Sequence, residues 1–244
     1  MFNYYGRKHV SVANKRKKAE KKLKKLKKEN PKVKPIIIAN PRARKLAKTW
    51  WGNAWNQNLE KYADYDNRIG RGKSYVRHGA ILDLQIKKGK VTALVAGSRS
   101  TPYKVTIEID KIPLTNLEEI KNTCKNRIDS LQDLLAGNFP QELSDLFTSQ
   151  FTGLFPLSKE IHFDCSCPDW ASMCKHVAAT LYGIGVRFDE DPKLFFKLRQ
   201  VDIKSLIKQA VKTKTKKLLD KAKKKSSRTI KQENLSELFD IDLD

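Results

Sequence analysis

The sequence predicts an α+β fold in which an antiparallel β-meander is packed by helices. Three consecutive segments, 80–87, 91–96 and 103–109, alternate apolar and polar residues, which is the pattern of strands with one buried face. A short turn around Gly89 joins the first two, as expected for antiparallel neighbours. Segments with helical periodicity precede and follow this group instead of alternating with its strands, which favours α+β over α/β.

The charge of the chain is concentrated at its two ends. The 244 residues carry a formal net charge of +23, yet residues 49–203 hold 20 basic and 19 acidic side chains. Residues 1–48 hold 18 basic and 2 acidic side chains, residues 204–231 hold 12 and 1, and the last 13 residues hold 5 acidic ones. We therefore predict a nearly neutral body that folds without help from two basic arms, which are disordered or helical.

Four regions follow from this distribution and from the motifs of the chain. Residues 1–48 form a basic N-terminal arm, and residues 49–155 form an α+β domain. Residues 156–203 hold a module rich in cysteine and histidine and the helices that follow it, and residues 204–244 hold an amphipathic helix, the second basic arm and an acidic tail.

The first arm has a weak helical signal. Ala19, Leu23 and Leu26 share one helical face, but lysine supplies almost everything else, and the pattern stops before Pro31. Self-repulsion and the narrow apolar stripe predict a frayed or disordered helix that orders on an acidic partner. A tail that only increases solubility is the alternative.

Two further helices flank the predicted strands. Residues 49–65 place Trp51, Trp55, Leu59 and Tyr62 at helical spacing, which indicates a core-facing stripe more than a base-stacking cluster. After the meander, a capping box at Thr115 begins a helix that Gly137 ends, with Cys124 on its apolar face as a core residue. A shorter helix is predicted over 141–149.

The C-terminal part contains two more helical segments. Residues 176–182 are almost wholly apolar, which predicts a buried helix. Residues 202–211 place apolar side chains on one face, which predicts an amphipathic helix that continues into the second basic arm.

Three of the four cysteines lie within ten residues, followed closely by a histidine. Cys165, Cys167, Cys174 and His176 have the spacing C-x-C-x6-C-x-H. Three thiolates and one imidazole form a closed tetrahedral shell for a structural Zn²⁺. A disulfide, a cysteine nucleophile and an iron–sulfur cluster are weaker interpretations, since none accounts for all four residues.

Neighbouring polar residues are candidates for supporting roles. His162 on a predicted strand is a candidate fifth donor or a hydrogen-bond partner of a ligand; we favour a histidine that faces solvent or a neighbour. Asp164 or Asp169 can accept a hydrogen bond from the free N–H of the liganding imidazole. The sequence does not choose between the two carboxylates.

The stretch CSCPDWASMCKHVAATLYGIG resembles the SWIM zinc finger, whose pattern is C-x-C followed, after a variable gap, by C-x-H. The resemblance to bacterial and archaeal SWIM proteins extends over most of the chain, including AKTWWGNAWNQNLEKYADYDNRIGRGKSYVRHGAILDLQI and KLFFKLRQVDI. It implies zinc binding, a role in DNA binding or protein contacts, and association with Swi/Snf-type helicase-like ATPases. This sequence has no such ATPase region, so the resemblance implies a separate partner.

Residues 67–74 come close to a nucleotide-binding P-loop, but Asn67 replaces its first glycine and no buried strand precedes it. We instead predict a loop that contacts the phosphates and bases of nucleic acid. In the alternative, its arginines pair with the nearby Asp64 and Asp66. The candidate contact residues are Arg68, Arg71, Lys73, Tyr75 and Arg77.

These features together favour a zinc-containing module that binds nucleic acid, DNA rather than RNA, and is accessory to a helicase-like ATPase. A protein-interaction adaptor is the alternative, with the acidic-apolar segment 233–240 as a docking helix. No catalytic pattern stands out and the zinc shell is full, so we do not expect an enzyme. The cysteine pattern, the absence of a secretory signal and the short apolar runs predict a cytoplasmic protein without a membrane span.

Overall fold

The computed structural model describes residues 10–61, 66–124, 144, 148, 149 and 153–222. In chain order, its helices and strands are α1 (Val12–Glu29), α2 (Trp50–Glu60), α3 (Asp66–Arg77), β1 (Ile81–Lys87), β2 (Lys90–Val95), β3 (Tyr103–Ile109), α4 (Leu114–Cys124), β4 (Ile161–Cys165), α5 (Lys175–Glu190), α6 (Lys193–Leu198) and α7 (Ile203–Ala222).

The predicted α+β class and meander are confirmed. The four strands form one antiparallel sheet in the order β1-β2-β3-β4. Gly89, with a φ of +67°, makes the turn between β1 and β2 in the left-handed region that favours glycine. Inner and outer residues alternate along β2 and β3 as predicted, whereas the first four residues of β1 are all buried.

Helix α5 is the centre of the core. It contacts all four strands and packs against α2 and α3, and its residues from His176 to Phe188 are all buried. Trp55 of α2 is fully buried, and its ring meets the rings of Phe188 and Phe195 edge to face. The tryptophan helix therefore faces the core, as its stripe predicts.

The described part of the predicted N-terminal arm, residues 10–48, is packed on the body. Val33, Ile36, Leu46 and Ala47 are buried. The Ile36 N–H donates to the Ile81 carbonyl at 3.1 Å, which adds an extended segment to the edge of β1. The contribution of these residues to the core is hard to recognise in the sequence, because a few apolar residues lie among many basic ones.

Helix α1 is also docked on the body. Ser11 accepts a hydrogen bond from the Asn14 N–H as its N-cap, and Ala19 is buried while Leu23 and Leu26 pack against the core. The stripe, which is too narrow to stabilise an isolated helix, is thus used for packing.

The boundary between 49–155 and 156–203 does not separate two cores. Strand β4 lies in 156–203, and it pairs with β3, which lies in 49–155. Ile107 of β3, for example, lies opposite Phe163 of β4. Buried residues from both ranges belong to one hydrophobic cluster. The zinc module predicted from the sequence is therefore continuous with the main sheet.

The loop predicted over 67–74 is a second correction, because these residues lie in α3. Gly72 faces α5 so closely that a Cβ would lie 2.7 Å from the Cβ of Ala178. This glycine permits close helix packing instead of providing a flexible loop.

Several expectations lie outside the described residues. These are Tyr62, Asp64, the end of the helix at Gly137, most of the helix at 141–149 and the acidic tail. The side chain of Cys124 is also outside them. In the part of the chain that the structure describes, none of the helices combines the length and apolarity that a membrane crossing requires.

Candidate metal centre

The four predicted ligands meet where β4 approaches the start of α5. Cys165 is the last residue of β4, and Cys167 follows two residues later. Cys174 is the N-cap of α5, and His176 lies in its first turn. The loop 168–173 connects the two pairs, so the sheet positions one pair and the buried helix positions the other.

The geometry of the cluster fits a tetrahedral ion. One donor atom from each residue lies within 4.8 Å of all the others. The Nδ1 atom of His176 lies 3.9 Å from the Sγ of Cys165 and 3.8 Å from the Sγ of Cys174. Zn–S bonds of about 2.3 Å and Zn–N bonds of about 2.0 Å give a tetrahedral S–N edge of about 3.5 Å, close to these separations. These four residues can therefore hold a metal ion.

The thiols of the cluster differ in acidity. A hydrogen bond from the Cys165 thiol lowers the pKa of Cys174, and His176 and the Val177 N–H at the start of α5 act in the same direction. The same sulfur–sulfur hydrogen bond, together with burial, raises the pKa of Cys165, and burial raises the pKa of Cys167. The Cys165 thiol, with smaller contributions from His176 and the helix N-terminus, thus favours a thiolate at Cys174.

Two tyrosines fix the ring of His176. The ring of Tyr103 stacks on it at 4.3 Å, and the ring of Tyr75 meets it edge-on at 5.4 Å. The buried Nε2 atom has no hydrogen-bond partner among the described residues, and a Cβ on Gly97 would approach this atom to 3.2 Å. The ring is therefore oriented by packing, with Nδ1 directed at the thiols.

The two candidate carboxylates do not bond to His176. Asp169 accepts from Arg68 at 2.9 Å and lies 3.9 Å from the Nζ of Lys175, so it connects α3, the ligand loop and α5. Asp164 is exposed. His162 is also exposed and pairs with Asp110 at 3.1 Å, so it faces a neighbour and is not among the clustered donors.

Four of the five residues predicted to contact nucleic acid make contacts within the protein. Arg68 pairs with Asp169, and Lys73 pairs with Glu60 at 2.9 Å. The guanidinium of Arg77 donates to the carbonyls of Ala43 and Arg44, each at 3.3 Å. Tyr75 packs against the ring of His176. Arg71 is exposed. Within the described residues it forms neither a hydrogen bond nor an ion pair.

The sequence did not reveal the residues that support the ligands. Tyr103 is recognisable in it only as the first inward residue of a strand, and Gly97 only as part of the preceding turn. Both become visible as parts of the site once β3 is paired with β4. Nothing in the spacing shows that Arg68 lies opposite Asp169, so the sequence suggests a different role for this carboxylate.

Comparison with known proteins gives one relative without an assigned function. The chain is 40% identical over 148 residues to the uncharacterized protein Rv2102 of Mycobacterium tuberculosis (strain ATCC 25618 / H37Rv). The match covers 60% of this chain and 53% of the relative, so the chain spans about half the length of the curated relative it matches. No family model matches the chain, and no solved structure gives a significant match.

Proposed function

We propose that the chain is a SWIM-type module with a structural zinc ion that binds nucleic acid through phosphate contacts. The observation that carries the zinc assignment is the convergence of three thiols and one imidazole nitrogen at the junction of β4 and α5. When bound, Zn²⁺ supplies a crosslink between these two elements. The four protein donors complete its shell, which favours a structural role over catalysis.

Metal analysis tests the zinc assignment. We expect about one zinc per chain after purification in metal-free buffer, and a Cys174→Ser variant that has lost both the metal and part of its stability, because the zinc ion contributes directly to folding. Ser172, an exposed residue of the same loop, provides the control variant Ser172→Ala, which should retain the metal. A wild-type protein that is stable and free of metal would refute the assignment.

Two lysine-rich helices support the nucleic-acid assignment. Helix α1 is docked near the metal centre, where Lys22 donates to the Gly97 carbonyl at 3.1 Å. Most of its other lysines are exposed, as are the described lysine side chains of α7. Such a surface attracts the phosphate backbone without reading sequence. We propose DNA as the natural target over RNA, on the basis of the SWIM resemblance.

A salt titration tests this binding. The logarithm of the association constant for duplex DNA should fall with the logarithm of salt concentration, with a slope of about −0.9 for each phosphate neutralised. The measurement is fluorescence anisotropy with duplex DNA, single-stranded DNA and RNA of equal length and unrelated sequences. Affinity that is independent of salt, or that depends strongly on sequence, would contradict phosphate-dominated binding.

A protein adaptor is the second candidate, and a feature of α7 favours it. Val211, Leu218 and Leu219 are about half exposed, which leaves apolar area for a protein partner. By the same resemblance, the partner we propose is a helicase-like ATPase. Purification after nuclease digestion separates the two functions: an ATPase that stays bound supports the adaptor, and one that is lost was bridged by nucleic acid.

A further inference from the structure

A basic cavity lies on the body near the first turn of α7, in a part of the molecule that the candidate contact residues do not include. The turn after β1, helix α6 and the start of α7 border an open cavity of about 510 Å³. This is within the range of cavities that hold small ligands. Its lining includes Phe196, Val201 and Ile203.

Four lysines from three elements surround this cavity. They are Lys88 from the turn after β1, Lys193 and Lys197 from α6, and Lys204 from α7, and all four are exposed. Within the described residues, none of them forms an ion pair. The acidic residue in the lining, Asp202, accepts a hydrogen bond from the Lys204 N–H at 3.0 Å as part of the helix start. The cavity is therefore positively charged.

Buried polar contacts fix the α6–α7 connection, which forms one wall of the cavity. Arg199, between α6 and α7, is 1% exposed; it donates to the Asp110 carbonyl at 2.8 Å and pairs with Glu160 at 3.3 Å. The next residue, Gln200, has a φ of 59° and places its side-chain amide against Gly89. The turn after β1 is thus fixed against the α6–α7 connection, and the cavity is formed before any ligand arrives.

A row of lysines extends from this cavity along α7. Lys204, Lys208, Lys212 and Lys216 are spaced four residues apart and are all exposed. Four residues advance an α-helix by about 6 Å and turn it by about 40° beyond one full turn, so the four lysines follow a ridge with a spacing of about 6 Å along the axis that winds by about 120° over about 18 Å. This regular spacing is comparable with that of successive phosphates on an extended single strand.

We propose that this cavity and the lysine row form a binding track for single-stranded nucleic acid. One nucleotide enters the cavity, with its base against the apolar lining and its phosphate at the lysines, and the following phosphates contact α7. A duplex fits less well, because its bases are stacked and paired and none is available to enter the cavity. This inference rests on the proposed nucleic-acid function. It specifies the surface that binds and proposes that the bound nucleic acid is single-stranded.

Matched lysine variants of the zinc-loaded full chain test the track. Lys193→Gln, Lys197→Gln and Lys204→Gln are combined in one variant. The control combines Lys104→Gln, Lys111→Gln and Lys159→Gln, which remove the same charge from exposed positions near β3 and β4. Binding of fluorescent oligothymidylate is measured across a salt series. We expect the track variant to bind about tenfold more weakly with a salt slope reduced by about 2, and the control to change less than about twofold.

Other outcomes distinguish this inference from the proposed function. Equal losses in both variants would overturn the track and leave nucleic-acid binding intact as an effect of diffuse charge. Wild-type binding that strongly favours duplex DNA would overturn the single-strand assignment. A wild type that binds no nucleic acid would remove the proposed function itself. Photocrosslinking of an iodouracil oligonucleotide gives a second measurement: crosslinks should map to the α6–α7 region, and crosslinks confined to α1 would overturn the track.

Discussion

Gly70 and Gly72 lie two residues apart on α3 but have opposite surroundings. A Cβ on Gly70 would meet nothing within 4 Å, whereas one on Gly72 would collide with Ala178 of α5. We expect Gly72→Ala to destabilise the protein by about 1–3 kcal/mol through overpacking. Gly70→Ala, the matched control, should stabilise it by about 0.5–1 kcal/mol, because alanine favours the helix. Denaturant unfolding of the two variants measures the difference, and equal effects would show that α3 does not pack closely on α5.

At this scale the sequence predicted which four side chains come together in the candidate metal centre, but it did not predict the residues around them. Ligand spacing is a local property, since Cys165 to His176 span one short loop between two elements. The contacts of Tyr103 and Arg68 depend on residues distant in sequence, which become neighbours only after the sheet and helices pack. The glycines of α3 suggest a loop in the sequence, because the sequence does not show which of them faces another helix.

A buried ion pair anchors the connection between α6 and α7. Arg199 and Glu160 have side chains that are 1% and 11% exposed. Burial lowers the pKa of Arg199, and the Glu160 carboxylate acts in the opposite direction. We expect Arg199→Met to cost about 3–5 kcal/mol, because it leaves a buried carboxylate without its partner.

An exposed pair provides the control for that experiment. Lys90 and Glu108 are 2.7 Å apart, yet both side chains are about half exposed. Lys90→Met should therefore change the unfolding free energy far less than Arg199→Met does. Arg199→Met combined with Glu160→Gln should recover part of the loss, since no unpaired charge remains. Equal losses from the two methionine variants would show that burial does not determine the strength of these pairs.

Helices and strands were predicted well where the pattern depends only on the residues of the element itself. The alternation in β2 and β3 and the stripe of α2 predicted both type and position. Helix α5 runs to Glu190, well beyond the apolar stretch 176–182, because the residues that follow remain buried between the sheet and neighbouring helices. For α1, a stripe of three small or aliphatic residues is adequate because a complementary surface exists on the body, which the sequence does not display.

More of the N-terminal region is packed on the folded body than its charge suggests. The guanidinium of Arg187, on α5, donates to the carbonyls of Lys34 and Pro35 at 2.8 and 3.2 Å, and the Leu84 N–H donates to the Lys34 carbonyl at 2.9 Å. Together with the burial of Ile36 and Leu46, these contacts anchor the segment 33–47 to the core. Charge counting assigned this segment to an arm because composition does not show which residues are covered.

Two deletions separate the role of α1 from that of the segment behind it. Removing residues 1–30 eliminates one buried side chain of α1, Ala19, so the protein should remain folded and should bind the proposed zinc ion as the full chain does. Removing residues 1–48 also eliminates Val33, Ile36 and Leu46, which contribute about 1.5–3 kcal/mol each. That sum is comparable with the whole stability of a typical domain, about 5–15 kcal/mol, so the shorter chain should not fold. Circular dichroism and zinc content measure both outcomes, and a folded chain lacking residues 1–48 would restore the separate arm that the charge pattern predicts.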